Sequence, residues 1–237
     1  MMLWFASGNT HKKQELAAIF KSAFPVIVSR DNNDVSTAEN PAPRFAAYEL
    51  KIPSDEGLEF KPDESGSSFS ENAMIKARLL YELLCHKNLF KTGDAVIADD
   101  SGICVDALDG RPGIYSARYC GPPGSEFKKL SDMEKNLLLL DEMDKQENRK
   151  ARFVCAMVLL FNNNNFYIAQ ETCEGSIVEN KNEIRGVNGF GYDPVFFIPE
   201  LKMTTAELSE TEKNKISHRG KAGRAIANIL FSSSRKF

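Results

Sequence analysis

The spacing of hydrophobic and polar residues changes between helical and extended patterns along this chain. Apolar residues three and four apart mark amphipathic segments, and the clearest has Ala73, Ala77, Leu80 and Leu84 in one row. The same spacing predicts helices over residues 12–24, 70–84, 125–145, 205–215 and 221–231, the last two joined by a turn at residues 217–220.

Short apolar runs bounded by turn residues separate these helices and predict strands. Residues 31–67 are polar and proline-rich, which predicts a loop with one short helix over residues 45–50. Because strands and helices interleave, the expected fold class is α/β, a sheet covered by helices. The predicted strands are residues 3–6, 95–98, 103–105, 151–161, 166–170, 172–178 and 195–198.

The composition is ordinary for a globular protein, with 237 residues of which 42% are hydrophobic and 27% are charged. This length suits one large or two small domains. The formal net charge of −3 gives no basic field that would draw the chain to nucleic acid or to a membrane surface. No apolar run reaches the ~18 residues of a membrane span. Five widely spaced cysteines without a CxxC pair indicate reduced thiols and a cytoplasmic location.

Two adjacent carboxylates, Asp99 and Asp100, directly follow the apolar run at residues 95–98. Acidic side chains at the mouth of a buried strand are costly unless a positive group lies beside them. A divalent cation such as Mg²⁺ or Mn²⁺, which prefers hard oxygen ligands, would provide that charge. The alternative is an ordinary hairpin, because Ser-Gly at residues 101–102 predicts a turn into the next strand.

The segment Ser7-Gly8-Asn9-Thr10-His11-Lys12 joins a predicted strand to a predicted helix. Free backbone amides and the positive end of the helix dipole favour a phosphate at such a junction. Lys12 adds a mobile positive charge. A plain strand-turn-helix connection explains the segment equally well.

Two glycine-containing turns in the C-terminal part carry further candidates. Phe190 stands between glycines in GFGYDP, where its ring could stack on a base or be buried in a tight turn. Arg219 lies in the turn SHRG, and its planar fork suits a phosphate or an oxo group. The alternative for Arg219 is a solvated charge at a helix end.

Glu71 opens the predicted helix at residues 70–84 and allows two interpretations. Ser68-x-x-Glu71 is a capping-box pattern, which gives the carboxylate a structural role. Glu71 could instead be a metal ligand beside Asp100.

Taken together, the segments resemble the inosine triphosphate pyrophosphatase family over roughly residues 3–227. The matching segments occur in the family's order, and the pieces DDSG…PGIYSARY and ISHRG are the most specific. They are SGNTHKKQE, SFSENAMIKA, ADDSGICVDALDGRPGIYSARY, ARFVCA, GFGYDPVFF and AELSETEKNKISHRGKA.

The resemblance implies one domain over residues 1–237, with an elongated mixed β-sheet flanked by helices and two lobes around a central nucleotide cleft. It also implies a homodimer. The implied activity is Mg²⁺-dependent hydrolysis of nonstandard purine nucleoside triphosphates (ITP, dITP, XTP) to the monophosphate and pyrophosphate. Two alternatives stay open: a nucleotide- or RNA-binding module without turnover, which the acidic cluster disfavours, and a pyrophosphatase for modified pyrimidine nucleotides.

The resemblance also implies roles for single residues. Asp100 is the expected general base, and Glu71 and Asp100 are the expected Mg²⁺ ligands. Arg219 is expected to select 6-oxopurines, because adenine presents an amino group where hypoxanthine presents an oxo group. The expected substrate-binding residues are Ser7, Gly8, Asn9, Thr10, His11, Lys12, Ser101, Phe190, Gly191, Tyr192, Asp193, Lys213, His218 and Arg219.

Overall fold

The computed structural model describes residues 1–23 and 48–233. Its strands are β1 (Met2–Phe5), β2 (Glu49–Lys51), β3 (Ala95–Val105), β4 (Lys150–Asn162), β5 (Asn165–Ile177), β6 (Phe196–Ile198) and β7 (Met203–Thr204). Within the described residues they form a seven-stranded sheet in the order β2-β1-β3-β4-β5-β6-β7. β1 is parallel to β2 and β3, and the remaining neighbours are antiparallel, so the sheet is mixed.

The sheet is flanked by the α-helices α1 (Thr10–Ala23), α2 (Phe69–His86), α3 (Asp132–Glu142), α4 (Glu210–Ile216) and α5 (His218–Ser233). α1 and α5 pack together on one face of the sheet, and α2 packs on the opposite face. In the described part of the chain, no helix combines the length and the apolar character that crossing a membrane requires.

β3 carries the polar positions that matter for function, and it alternates between the two faces of the sheet. Ala95 and Ile97 lie in the core formed with α1 and α5. Ile103 lies in a second core, formed with α3. Asp99 and Ser101 occupy the positions between these cores on the same face, so two polar side chains separate two hydrophobic clusters.

The predicted turn at residues 101–102 is wrong, because β3 continues through it. β4 pairs with β3 from Val96 to Val105 without a break. Gly102 serves a close approach instead of a turn: a Cβ there would lie 2.3 Å from the carbonyl oxygen of Gly113 and 2.4 Å from Ser116 Oγ. The glycine therefore lets the segment around residues 113–118 pack onto the strand.

Other element predictions need smaller corrections. The predicted strands at residues 166–170 and 172–178 form one strand, β5, and the predicted helix over residues 125–145 is confined to α3. Part of the predicted short helix at residues 45–50 lies outside the described residues, and its last residues belong to β2. The predicted helix over residues 205–215 is divided into a short 3-10 helix, Thr205–Glu207, and α4.

α4 and α5 meet without the predicted turn at residues 217–220, because α5 already begins at His218. A Cβ at Gly220 would lie 1.9 Å from the carbonyl oxygen of Asn214, so glycine permits this close junction. As a result, His218 and Arg219 lie in the first turn of α5, where they face the sheet and are buried.

Candidate active site

A cavity of about 490 Å³ opens between the two hydrophobic cores, over Ser101 of β3. Its walls come from the start of α1, the loop before β6, α4 and the first turn of α5. The structure therefore brings most of the predicted substrate-binding residues together. Those that line the cavity are Asn9, His11, Lys12, Ser101, Phe190, Gly191, Tyr192, Asp193, Lys213, His218 and Arg219.

The start of α1 forms one wall of the cavity. Asn9 Oδ1 accepts hydrogen bonds from the backbone amides of His11 at 2.9 Å and Lys12 at 3.2 Å, as an N-cap does. Ser7 Oγ accepts from the amide of Asn9 at 3.1 Å. These bonds fix the start of α1. The Lys12 ammonium is the charged group that this wall presents to the cavity. Ser7, Gly8 and Thr10 do not line the cavity.

Asp99 is the buried anion beside this wall, with 1% of its surface exposed. Lys12 Nζ donates to its carboxylate at 3.0 Å, and Arg219 donates through Nε and Nη2, each at 3.2 Å. Burial alone would raise the pKa of Asp99, but the charges of Lys12, Arg219 and Lys76 outweigh it and lower this pKa. Asp99 is therefore a carboxylate that holds two cations in place.

Arg219 is not a solvated helix-end charge, since it is 3% exposed. Besides Asp99, its guanidinium donates to Glu15 Oε2 at 2.7 Å and to Ser101 Oγ at 2.8 Å. These bonds leave one Nη1 hydrogen without an acceptor among residues 1–23 and 48–233. The group is thus rigidly held and still has a donor to offer a ligand.

From the Arg219 guanidinium, negatively and positively charged side chains alternate across the cavity. Glu15 of α1 lies 3.8 Å from Lys213 Nζ, and Lys213 Nζ lies 2.6 Å from Asp193 Oδ2. Glu15 was not among the predicted site residues, although it follows Lys12 by three positions on the same predicted helix. The network thus links α1, β3, α4, α5 and the loop before β6.

Phe190 lies half-buried over two of these cations. The Lys213 ammonium is 5.2 Å and the Arg219 guanidinium is 5.5 Å from its ring centroid. Its backbone amide donates to Asp193 Oδ2 at 2.8 Å. The ring is therefore held at the cavity wall by cation–π contacts and by its own backbone.

His218 and Tyr192 form the inner wall. The His218 ring stacks on Phe153 with centroids 4.8 Å apart. Burial, with the charges of Arg219 and Lys213, lowers the pKa of His218 well below its usual value, so the imidazole is neutral. Its Nδ1 is buried without a hydrogen-bond partner in the described residues. The Tyr192 hydroxyl donates to the carbonyl oxygen of Ser116 at 2.9 Å, as expected if this ring is buried in the turn.

Part of the lining was not among the predicted site residues, although Gly102, Ser116, Ala117 and Phe153 lie in the quoted motifs. Asp132 and Asn136 of α3 bind the two sides of Gly191: Asp132 Oδ2 accepts from its amide at 2.8 Å, and Asn136 Nδ2 donates to its carbonyl oxygen at 3.0 Å. The unpredicted lining residues are Gly102, Ser116, Ala117, Asp132, Lys135 and Phe153.

Asp100 faces the other side of the sheet, towards α2. Lys76 Nζ donates to its Oδ1 at 2.8 Å and Asn72 Nδ2 to its Oδ2 at 3.3 Å. Burial raises the pKa of Asp100, and the Lys76 charge offsets only part of this effect. Lys76 and Asn72 were not predicted, although both stand on one face of the helix in SENAMIK.

The Asp99 face and the Asp100 face of the sheet meet at an edge of β3 that β1 leaves unpaired. β1 stops at Phe5, opposite Ile97. From Ala98 to Ser101 β4 is the strand that pairs with β3 in the described chain, and beyond it Pro112 forms a bridge with Cys104. Lys76 Nζ reaches this edge and donates to the carbonyl oxygen of Asp99 at 3.2 Å. A ligand lying along the edge could therefore contact groups on the Asp99 face and on the Asp100 face.

Half of the capping box that the sequence offered as an alternative for Glu71 is present, because the N-cap Ser68 binds the Glu71 amide whereas the Glu71 carboxylate binds Ser67. The amide and hydroxyl of Ser67 both donate to Glu71 Oε2 at 2.7 Å, and these bonds lower the pKa of Glu71. Ser68 Oγ accepts from the Glu71 amide at 3.2 Å. The carboxylate that shares Lys76 with Asp100 is Glu64, 2.8 Å from Lys76 Nζ. Metal binding by Glu71 stays a prediction.

The donor set on the α2 face fits Mg²⁺. Glu64 Oε1 and Asp100 Oδ1 each lie 2.8 Å from Lys76 Nζ, so two carboxylates converge on one positive group. Residues 1–23 and 48–233 contain no cluster of three or more His, Cys, Asp or Glu side chains that could hold a metal. Mg²⁺ commonly binds one or two carboxylates and completes its shell with water and phosphate oxygens. The site therefore suits a metal shared with a phosphate ligand.

The structure defines a mixed α/β protein with a cavity lined by Lys12, Lys135, Lys213 and Arg219, and such a cluster of positive charge favours an anionic ligand. The sequence model of the Ham1 family matches residues 3–229. This chain therefore belongs to the Ham1 family.

Relatives and solved structures agree with this membership. The chain is 41% identical over 233 residues to the dITP/XTP pyrophosphatase of Treponema denticola, covering 98% of this chain and 100% of the relative. It is 43% identical over 183 residues to that of Bacillus licheniformis, covering 77% and 86%. The fold matches the Staphylococcus aureus Ham1 protein with a TM-score of 0.72 at 31% identity, covering 98% and 100%. A HAM1 protein from Coxiella burnetii matches with a TM-score of 0.73 at 31% identity, covering 98% and 99%.

Proposed function

We propose that this protein is a nucleoside triphosphate pyrophosphatase that uses Mg²⁺ to hydrolyse nonstandard purine nucleotides such as ITP, dITP and XTP to the monophosphate and pyrophosphate. Its family and the dITP/XTP pyrophosphatases among its relatives support this function. The observation that carries the proposal is the split between Asp99 and Asp100. On one face of β3, Asp99 binds the cations Lys12 and Arg219. On the other face, the carboxylates of Asp100 and Glu64 both bind Lys76.

In this proposal the triphosphate lies along the free edge of β3. Lys12 and Lys76 flank that edge, and each is bound to a carboxylate in the free protein. An arriving phosphate would take these ammonium groups as charge-assisted donors. Glu64 and Asp100 would hold Mg²⁺, which neutralises charge on phosphate oxygens when bound.

Asp100 is the proposed general base. Its carboxylate takes a proton from the water whose oxygen attacks the α-phosphorus. The bond from the α-phosphorus to the bridging oxygen then breaks, and pyrophosphate leaves with the bond electrons. Burial raises the pKa of Asp100 in the metal-free protein. Lys76 and Asn72 orient it.

The purine is proposed to stack on Phe190 beside Arg219. Stacking tolerates any base, because every base has a π-face. The unused Nη1 hydrogen of Arg219 would donate to the oxo group of a 6-oxopurine, whereas adenine presents a donor at the same place. The guanidinium is held in one orientation, because Asp99, Glu15 and Ser101 each accept a hydrogen bond from it.

The proposal is tested by pyrophosphate release from ITP, XTP, GTP, ATP and CTP, with and without Mg²⁺. We expect one pyrophosphate and one monophosphate per turnover for ITP and XTP, with Mg²⁺ only. A preference for CTP would instead favour a pyrimidine nucleotide pyrophosphatase. Tight binding of ITP without turnover would make the protein a binding module.

Assembly and location extend the proposal. A single two-lobed domain is proposed because one sheet runs through both cores. A homodimer is proposed from the family resemblance, and Phe166 and Ile168, which share one face of β5 and are 39% and 44% exposed, are a candidate contact. Light scattering should give twice the chain mass for the parent and the chain mass for Ile168→Glu, and a monomeric parent would contradict the dimer.

Free thiols at the five cysteines support a cytoplasmic location.

A further inference from the structure

A threonine outside the predicted site residues reaches the carboxylate at the purine end of the cavity. Thr205 begins the short helix Thr205–Glu207 and is 3% exposed. Its hydroxyl oxygen lies 2.9 Å from Asp193 Oδ1 and 3.1 Å from the carbonyl oxygen of Asp193. The single hydroxyl hydrogen donates to the nearer, charged acceptor, Oδ1. Oδ1 of the Asp193 carboxylate is thus bound by a residue that does not line the cavity.

The other oxygen of that carboxylate holds two groups that face the cavity. Asp193 Oδ2 accepts from the Phe190 amide at 2.8 Å and from Lys213 Nζ at 2.6 Å. The loop also approaches the carboxylate closely at Gly189, where a Cβ would lie 2.1 Å from Asp193 Oδ2. Rotation of the carboxylate would therefore disturb Phe190, Lys213 and the loop together.

We infer that Thr205 is a positioning residue for the purine: its hydroxyl fixes the orientation of the Asp193 carboxylate, and through it the Phe190 ring and the Lys213 ammonium. This inference deepens the proposed function and rests on it. Without the hydroxyl, Asp193 Oδ1 is a buried charged oxygen that has lost its side-chain donor. The carboxylate then keeps its bonds to Phe190 and Lys213 through Oδ2 but loses the side-chain bond that fixes Oδ1, so the position of the stacking surface is less tightly held.

The neighbouring Thr204 provides a matched control. Its hydroxyl donates to the carbonyl oxygen of Arg185 at 2.9 Å and belongs to the cap of the same short helix. It makes no contact with Asp193 among the hydrogen bonds of the described residues and does not line the cavity. Thr204→Val therefore tests the loss of a buried threonine hydroxyl that does not bind Asp193.

The kinetic test compares Thr205→Val, Thr205→Ser and Thr204→Val with ITP as substrate. Thr205→Val should raise KM roughly tenfold and leave kcat within about threefold, as expected for the loss of one hydrogen bond to a charged group. Thr205→Ser should restore the parent KM, because it keeps the hydroxyl. Thr204→Val should lower Tm and leave KM within about twofold.

A second measurement does not depend on turnover. Hydrogen exchange at the Phe190 amide in the nucleotide-free protein should be faster in Thr205→Val and unchanged in Thr205→Ser and Thr204→Val. Parent-like exchange and KM in Thr205→Val would overturn the inference, and so would a Thr205→Ser protein as impaired as Thr205→Val. If the parent releases no pyrophosphate from any purine nucleotide, the proposed function fails, while the exchange result still decides the positioning role.

Discussion

Asp99 and Asp100 are consecutive on β3, yet their carboxylates lie on opposite faces of the sheet and bind different cations. Asp99 is bound to Lys12 and Arg219, and Asp100 is bound to Lys76. Strand geometry causes this separation, since successive side chains point to opposite faces. The two acids therefore have different roles, although the sequence presents them as one pair.

Asp99 should matter for stability more than Asp100. Asp99→Asn leaves Lys12 and Arg219 with less compensating charge in a buried site, and we expect a loss of about 3–5 kcal/mol in the free energy of unfolding. Asp100→Asn should cost less than half of that, because Lys76 keeps Glu64 as a partner. Urea denaturation of both variants measures the difference. Equal stability of Asp99→Asn and the parent would contradict the role of Asp99.

The metal ligand beside Asp100 is tested by the matched variants Glu64→Gln and Glu71→Gln. Glu64 shares Lys76 with Asp100, so its variant should need a higher Mg²⁺ concentration for half-maximal activity. Glu71→Gln weakens a helix cap and should lose less than about 1 kcal/mol of stability with its Mg²⁺ requirement unchanged. If Glu71→Gln alone needs a higher Mg²⁺ concentration for half-maximal activity, the metal ligand is Glu71 and not Glu64.

Stacking and oxo recognition have different kinetic signatures. Phe190→Ala should lower kcat/KM for ITP and ATP by a similar factor, corresponding to about 1–3 kcal/mol. Arg219→Lys keeps the charge and loses the planar fork that places the remaining Nη1 hydrogen. It should therefore reduce the preference for ITP over ATP, by an amount corresponding to about 1.5–3 kcal/mol for one hydrogen bond from a charged donor. An unchanged ITP-to-ATP ratio in Arg219→Lys would remove Arg219 from base selection.

His218 should make the protein less stable in weak acid. Burial and the neighbouring cations lower the pKa of the folded histidine, whereas the unfolded histidine titrates normally. Protonation therefore favours the unfolded chain, and stability falls as the pH drops below the unfolded pKa of about 6.5. The loss by pH 5 should reach up to about 2 kcal/mol.

Tm measured between pH 7.5 and pH 5 provides the check on His218. His218→Gln should have a flatter profile than the parent, and His86→Gln, which alters an exposed histidine at the end of α2, should keep the parent profile. Identical slopes in all three proteins would show that His218 is not buried in its neutral form.

Local pattern was sufficient for much of the fold. Helical spacing located α2 within two residues at each end, because its apolar row and its cap both lie in the segment itself. The turn predicted at residues 101–102 failed because Gly102 is needed for the approach of Gly113 and Ser116, which are distant in sequence. Pairing with β4 then outweighs the local preference for a turn.

The site residues divide in the same way. Lys213 and Arg219 lie in segments with distinctive motifs, and both line the cavity. Glu15 and Lys76 lie inside the matching segments SGNTHKKQE and SFSENAMIKA, but their partners stand on other elements, so the segments alone do not show what these side chains bind. Glu64 lies in the polar stretch at residues 31–67, where no periodicity links it to Asp100. Long-range charge pairing of this kind is visible only in the folded chain.

The central claim is that Asp100 acts as the general base on the α2 face of β3. Asp100→Asn keeps the size and shape of the side chain and one of the two acceptors that Lys76 and Asn72 use, but it cannot accept the proton of the attacking water. The most direct test measures single-turnover hydrolysis of ITP with saturating Mg²⁺, together with the Kd for ITP by calorimetry. We predict a rate about 10²–10⁴-fold below the parent with Kd changed by less than about tenfold. Hydrolysis by Asp100→Asn at the parent rate would contradict the claim.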